Sequence, residues 1–137
     1  MDTTTMVDSR IDDGRRLVEE LPALGFDLAG AVWLLNTVDY KWRFYIVSPL
    51  VDSNDPREAY GRLFDSTRRM PQTNGINPIS IELVGTDEPL GKAIVTAIRG
   101  LTANRNWANP MRWRDKWIGN VSIDDAYIYA PLVAAAT

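Results

Sequence analysis

Segments with helical periodicity alternate along this chain with segments that have the composition of strands. In three segments apolar residues recur every three or four positions, which predicts helices over 9–24, 55–70 and 88–99. Five other segments are rich in β-branched and aromatic residues and predict strands over 28–37, 41–49, 79–84, 111–117 and 127–129. The predicted order of elements is therefore α-β-β-α-β-α-β-β.

This order of elements restricts the fold class. Short links join the first two strands and the last two strands, so each pair predicts an antiparallel hairpin, whereas the intervening helices predict crossovers between parallel strands. We expect an α+β fold in which one mixed sheet of about five strands is packed against the helices. Because 137 residues is an ordinary length for one domain, we expect a single domain over 1–137, frayed at 1–7 and 133–137.

Turn-forming and capping residues mark the ends of the predicted helices. Asp55 and Pro56 form a typical N-cap and first-turn pair before the second helix. Pro22 predicts a kink or an early end in the first helix, and Gly25 is a plausible stop after it. Gly100 predicts the end of the third helix.

The chain contains no cysteine and no histidine. Disulfides, thiol nucleophiles, histidine-based catalytic triads and the common transition-metal ligands are therefore all excluded. An enzyme built from this chain would depend on carboxylates, amines or hydroxyls. We expect no metal site and no cofactor, and the composition favours a non-catalytic role.

The charge of the chain bears on its partners. The formal net charge is −3 at pH 7, which argues against bulk electrostatic binding to nucleic acid or anionic lipid. The start of the chain is polar and no apolar run is long enough to span a bilayer, so we expect a cytoplasmic protein with no membrane partner. Residues 91–117 nevertheless hold six bases and one acid, which predicts a basic face on an acidic protein.

Three acidic segments suggest ion binding but lack required features. Residues 85–92 have the place of a phosphate-binding loop, yet five residues separate their glycines where four are required, and two acids would repel a phosphate; we interpret them as a helix cap. Residues 52–55 lack the glycine and glutamate of a calcium loop and are interpreted as a strand-to-helix turn. Asp124 and Asp125 would point to opposite faces of a strand, so we interpret them as a turn or bulge.

A short triplet, Asp39-Tyr40-Lys41, supports one catalytic alternative. It resembles the acid-x-lysine element of metal-dependent nucleases, in which carboxylates hold Mg²⁺ and the lysine orients the attacking water. Asp27, with Glu19 or Glu20, could supply further ligands. The resemblance implies a Mg²⁺-dependent nuclease or phosphodiesterase built on Asp27, Asp39 and Lys41, and the other interpretation is a polar hairpin tip.

Tryptophans and bases are interleaved over residues 104–117. The alternation in the predicted strand favours Trp113 and Trp117 on a core face and the bases on an opposite, solvated face. The interaction residues predicted from this segment are Arg105, Trp107, Arg112, Arg114 and Lys116. Tryptophan and arginine are enriched in protein interfaces, whereas aromatic and basic residues together also suit single-stranded nucleic acid.

We therefore hold three functional hypotheses. The leading one is a non-catalytic protein-interaction module, either a homodimer or the partner of another protein, that uses the surface around 105–117. The alternatives are the Mg²⁺-dependent enzyme and a single-stranded nucleic-acid binder that uses the same tryptophan and arginine segment.

Overall fold

A computed structural model of the chain describes residues 8–35, 41–53, 55–68, 81–102, 111–118 and 121–129. Its helices are α1 (Asp8–Glu20), the single 3₁₀ turn η1 (Pro22–Leu24), α2 (Leu50–Ser53), α3 (Pro56–Arg68) and α4 (Pro89–Thr102). Its strands are β1 (Gly30–Leu35), β2 (Trp42–Val47), β3 (Ile81–Val84), β4 (Met111–Ile118) and β5 (Val121–Tyr129). The predicted termini, 1–7 and 133–137, lie outside the described residues.

The five strands form one mixed sheet in the order β3-β2-β1-β5-β4. β1 is antiparallel to both β2 and β5, β4 is antiparallel to β5, and β2 and β3 are parallel. Helices lie against the sheet, so the predicted α+β class and mixed sheet are confirmed. β3 and β4 are the edge strands of the described sheet, and β1 is its centre, which agrees with the apolar character of β1 on both faces.

The central strand contributes to two apolar clusters. Trp33, Phe44 and Tyr129 lie in the first cluster, which α1 and α3 cover with side chains such as Leu17 and Leu63. The second cluster is formed by alternate residues of the same strands and is covered by α4: Val32, Leu34, Val47, Ile94, Ile98, Ala126 and Ile128. Both faces of the sheet are therefore packed.

The first helix is shorter than the predicted segment 9–24. It ends at Glu20, and Pro22 begins the 3₁₀ turn because proline cannot continue the α-helical hydrogen-bond pattern. Gly25 then reverses the chain with a positive φ of 90°. The third helix, in contrast, passes its predicted stop at Gly100 and ends at Thr102, since glycine is tolerated at an exposed helix position.

α1 approaches the sheet closely at Gly14. A Cβ added there would lie 2.6 Å from the hydroxyl of Tyr129 and 3.1 Å from Nε1 of Trp33. Tyr129 is fully buried, and its hydroxyl donates a hydrogen bond to the carbonyl of Ile11 at 2.7 Å. The absence of a side chain at Gly14 thus allows α1 to lie on the aromatic part of the core.

Gly14→Ala is expected to lower the free energy of unfolding by about 1–3 kcal/mol, because the added methyl group displaces a buried ring that cannot move without losing its hydrogen bond. The matched control is Gly61→Ala in α3, where nothing lies within 4 Å of an added Cβ. That variant is expected to gain roughly 0.5–1 kcal/mol from helix propensity. Urea denaturation measures both, and an equal sign for the two variants would contradict the close packing of α1.

Candidate protein-interaction site

β4 and β5 form the longest hairpin of the described sheet. Ile118 pairs with Val121 at one end of the ladder, and Gly119 and Asn120, which predict a tight turn, lie outside the described residues. The ladder runs from that end to the pairing of Met111 with Ile128. Residues 111–118 are therefore a strand, which confirms the predicted strand at 111–117 and places it at an edge of the sheet.

Arg112 is held in place by the neighbouring strand. Its Nε and Nη2 donate to the two carboxylate oxygens of Asp125, at 3.1 and 2.7 Å. The guanidinium also lies over the ring of Tyr127, 5.2 Å from the ring centroid. The hydrogen bonds to Asp125 raise the pKa of the Arg112 guanidinium, against desolvation, which lowers it. Such bidentate pairing fixes the direction of an arginine as well as its charge.

The structure corrects one prediction about these residues, that for Asp125. Asp125 lies inside β5 and is 5 % exposed, whereas the adjacent acids predicted a turn or bulge. Arg112 was predicted on a solvated face, and its side chain is 37 % exposed, in agreement with that prediction, although its guanidinium lies over the ring of Tyr127. The bidentate hydrogen bonds from Arg112 compensate for the burial of this carboxyl group.

Trp113 lies on the opposite face of β4. Its side chain is partly buried and packs against the second apolar cluster, beside α4. This agrees with the predicted core-facing position of Trp113. The side chains of Arg114, Lys116 and Trp117 lie outside the described part of the structure, although the backbone register places position 114 opposite Asp125 and position 116 opposite Ile123.

The two predicted residues before the strand, Arg105 and Trp107, lie outside the described residues. What the structure brings together is therefore smaller than the predicted set: Arg112 on one face of β4, Trp113 on the other, and positions 114 and 116 farther along the same strand. Asp125 and Tyr127, which fix Arg112, are not among the predicted site residues, although their spacing of two in a β-rich segment is a usable signal for a shared face.

Aromatic side chains extend from Tyr127, beside Arg112, toward β2. The rings of Trp42 and Tyr127 lie 5.7 Å apart in a tilted arrangement. The indole N–H groups of Trp33 and Trp42 are buried and have no hydrogen-bond partner among the described residues. Buried indole N–H groups usually donate a hydrogen bond to an acceptor. These two indoles are therefore the buried side chains of the described residues whose hydrogen-bonding capacity is unused.

The structure describes two of the three predicted catalytic residues, Asp27 and Lys41. Asp27 precedes β1 and Lys41 precedes β2, and because these strands are antiparallel, the two residues lie at opposite ends of the ladder from Gly30 to Leu35. That ladder alone spans about 17 Å at the usual rise of a strand. Asp39 lies outside the described residues, so the structure places two of the three predicted residues and does not bring them together.

In the segment 85–92, which has the place of a phosphate-binding loop, backbone amides bind a carboxylate from another part of the chain. The carboxylate of Asp52 accepts hydrogen bonds from the amides of Thr86 and Asp87, at 2.8 and 3.1 Å, and from the Thr86 hydroxyl. The carboxylate of Glu88 accepts a hydrogen bond from the amide of Gly85. Amides that could hold an anion before α4 are therefore already occupied by carboxylates of the protein, which agrees with our interpretation as a helix cap.

Asp52 itself lies in the short helix α2, not in the simple turn predicted for 52–55. β2 and β3 are parallel, so the segments that follow them lie side by side at one edge of the sheet, and this proximity brings Asp52 to Thr86. The hydrogen bond from the Thr86 hydroxyl holds the pKa of Asp52 below its ordinary value, and the two amides act in the same direction, against desolvation.

This lowered pKa predicts a pH dependence. A depressed folded-state pKa stabilises the protein above the unfolded-state value of 3.8 and loses that effect as the pH falls through the folded-state value. Asp52→Asn is therefore expected to lower the urea midpoint at pH 7, with a difference that narrows at pH 3. Asp65→Asn, which alters only an exposed ion pair with Arg68, is the control. If the difference in urea midpoint between Asp52→Asn and the natural protein became larger on acidification, the lowered pKa of Asp52 would be contradicted.

Two further kinds of site, a metal site and a membrane-spanning helix, are absent from residues 8–35, 41–53, 55–68, 81–102, 111–118 and 121–129. These residues contain no group of three or more acidic side chains arranged to hold a metal ion. The described helices include none with the length and hydrophobicity needed to cross a membrane. Comparison with known proteins finds no matching family model, no matching curated protein and no matching solved structure.

Proposed function

We propose that this protein is a non-catalytic protein-interaction module whose contact surface is the β4 edge, meaning the side of β4 that faces away from β5. The observation that carries this proposal is an eight-residue strand that pairs, within the described residues, with β5 alone. An edge strand presents a row of backbone donors and acceptors, and proteins that bind by strand addition use such a row for affinity.

The opposite edge of the sheet is less suited to strand addition. β3 has four residues, and the amide of Leu83 donates a hydrogen bond to the hydroxyl of Tyr60 in α3 at 3.1 Å. α3 therefore already occupies one of the backbone donors at that edge. The comparison of the two edges favours β4, which is twice as long and has no such contact among the described residues.

The side chains of β4 that the structure describes are held in place by the rest of the protein. Arg112 is fixed by Asp125, and Trp113 is fixed by the second apolar cluster, so each face of the strand has one anchored side chain. A strand that is already ordered loses less conformational entropy when a partner binds. Bases at positions 114 and 116 would then select the partner by charge.

The same contacts lower the support for a nucleic-acid binder. Base stacking requires an aromatic face in solvent, whereas Trp113 packs against the second apolar cluster. Phosphate binding would have to use cations other than Arg112, because its guanidinium already binds both carboxylate oxygens of Asp125. Protein binding through backbone pairing requires neither group to move.

Site-specific photo-crosslinking in the native cell tests the proposal. A benzoylphenylalanine at position 115 of β4 is expected to give a discrete cross-linked species, and the same residue at position 57 of α3, an exposed site, is expected to give none.

Charge variants test whether the bases of β4 are required. The cross-linked species should disappear when Arg114→Glu and Lys116→Glu are combined. It should persist when Arg57→Glu and Lys92→Glu are combined, which is the matched control because both pairs change the net charge equally. The proposal fails if positions 115 and 57 give the same products.

A further inference from the structure

The sequence of β4 restricts which strand can pair with it. Residues directly opposite each other in adjacent strands place their side chains on the same face of a sheet. In a symmetric antiparallel pair, the two-fold axis is perpendicular to the sheet and preserves its faces. An even-numbered position of one β4 would therefore always lie opposite an even-numbered position of the other.

This parity is unfavourable for a homodimer through β4. The even-numbered positions of the strand are occupied by Arg112, Arg114 and Lys116, followed by Ile118. A pair centred on position 114 would oppose 112 with 116 and 114 with itself. A centre at 115 would oppose 114 with 116, and a centre at 113 would oppose 112 with 114. Like charges directly across a ladder destabilise it, and lysine or arginine on an edge is a known protection against self-pairing.

We propose, on the basis of the interaction role above, that the partner of β4 is an extended segment of another protein with Asp or Glu at every second position, added antiparallel to β4. Its backbone would pair with the outward amides and carbonyls of the strand. Its acids would lie opposite positions 114 and 116, because Asp125 already binds the guanidinium of Arg112. Uncharged residues would lie opposite the odd-numbered positions, which include Trp113.

The alternation requirement separates strand addition from general attraction between charges. An acidic tail bound only by the basic patch would need its charge and no particular spacing, and it would bind in proportion to that charge. A paired strand needs acids on one face only, since a one-residue shift moves them all to the other face. The order of residues in a peptide, at fixed composition, therefore reports the mode of binding.

A labelled ten-residue peptide of alternating Glu and Val is the probe, and fluorescence anisotropy with the full chain measures its Kd. The first control peptide has the same composition with its five Glu residues grouped in one half, and the second has Lys in place of Glu. We expect the alternating peptide to bind about tenfold more tightly than the grouped peptide, and the Lys peptide to show no measurable binding.

Variants of the protein test the same contact from the other side. Arg114→Glu combined with Lys116→Glu should weaken the alternating Glu peptide about tenfold and allow the Lys peptide to bind. Arg57→Glu combined with Lys92→Glu is the matched control and should leave both affinities unchanged. Since position 114 lies opposite Asp125, Lys116→Glu alone is included as a variant that adds no acid beside that carboxylate, with an expected loss of about threefold.

Two results would overturn this inference. Equal affinity for the alternating and grouped peptides would show attraction between charges without strand pairing. A dimer by light scattering, with the β4 amides protected from exchange, would show a second copy as the occupant while leaving the interaction role intact. If position 115 also gives no specific cross-link in the cell, the interaction role itself fails.

Discussion

Arg112→Ala is expected to lower the free energy of unfolding by about 3 kcal/mol, the low end for removing one partner of a buried ion pair, because the guanidinium is partly exposed. The loss arises mainly from Asp125, whose side chain is 8 % exposed and would lose both hydrogen bonds from its bidentate partner. Arg68→Ala, which removes an exposed ion pair with Asp65, is the control and should change stability by less than about 0.5 kcal/mol.

The double variant Arg112→Met with Asp125→Leu separates the effect of the ion pair on stability from the effect of side-chain packing at the same positions. Both polar groups are replaced by apolar ones of similar volume, so no charge is left without a partner, and we expect stability within about 1 kcal/mol of the natural protein. Urea denaturation of the three variants completes the comparison. Equal small losses for Arg112→Ala and Arg68→Ala would show that the Arg112–Asp125 pair does not hold β4 to β5.

Gly91→Ala is expected to be the second large effect. An added Cβ would lie 1.9 Å from the carbonyl oxygen of Gly85 and 3.3 Å from Val84. The obstacle is backbone, and the same loop binds Asp52 and Glu88, so the first turn of α4 would have to move away from the sheet. We expect a loss of about 3 kcal/mol, at the upper end for overpacking.

The control for Gly91→Ala lies in the same helix. Nothing is within 4 Å of a Cβ added at Gly100, so Gly100→Ala should gain about 0.5–1 kcal/mol from helix propensity. Thermal unfolding of both variants at one pH gives the comparison. A neutral Gly91→Ala would mean that α4 starts farther from Gly85 than the structure shows.

Local signals in the sequence were sufficient for most of the elements. The cap at Asp55 and Pro56 correctly predicted the start of α3, since capping depends only on neighbouring residues. The alternation around Trp113 correctly predicted a strand with that indole on an apolar face. The end of α4 was predicted less well, because the helix signal of its apolar residues continues past Gly100.

The contacts that the sequence did not predict join residues that are distant along the chain. Asp52 reaches Thr86 across 34 positions of sequence only because β2 and β3 are parallel neighbours. Asp125 could not be recognised as a buried acid until the register brought Arg112 to it. Adjacent acids in isolation favour a turn, and only the partner strand provides the cation that makes a buried position tolerable.

Strand order decides the function that we propose, and it too lies beyond local patterns. The sequence predicts five strands and their approximate limits, but β4 becomes important because β5 inserts between it and β1. The same eight residues in the middle of a sheet would have no edge to offer, and their bases would then have to be explained in another way.

Backbone amide exchange in β4, measured residue by residue with and without the alternating Glu and Val peptide, tests the central claim most directly. Strand addition predicts new protection at every second amide of residues 111–118, those that point away from β5, with little change in β3. Protection spread evenly over the basic residues, or confined to elements other than β4, would contradict the assignment of this edge as the contact surface.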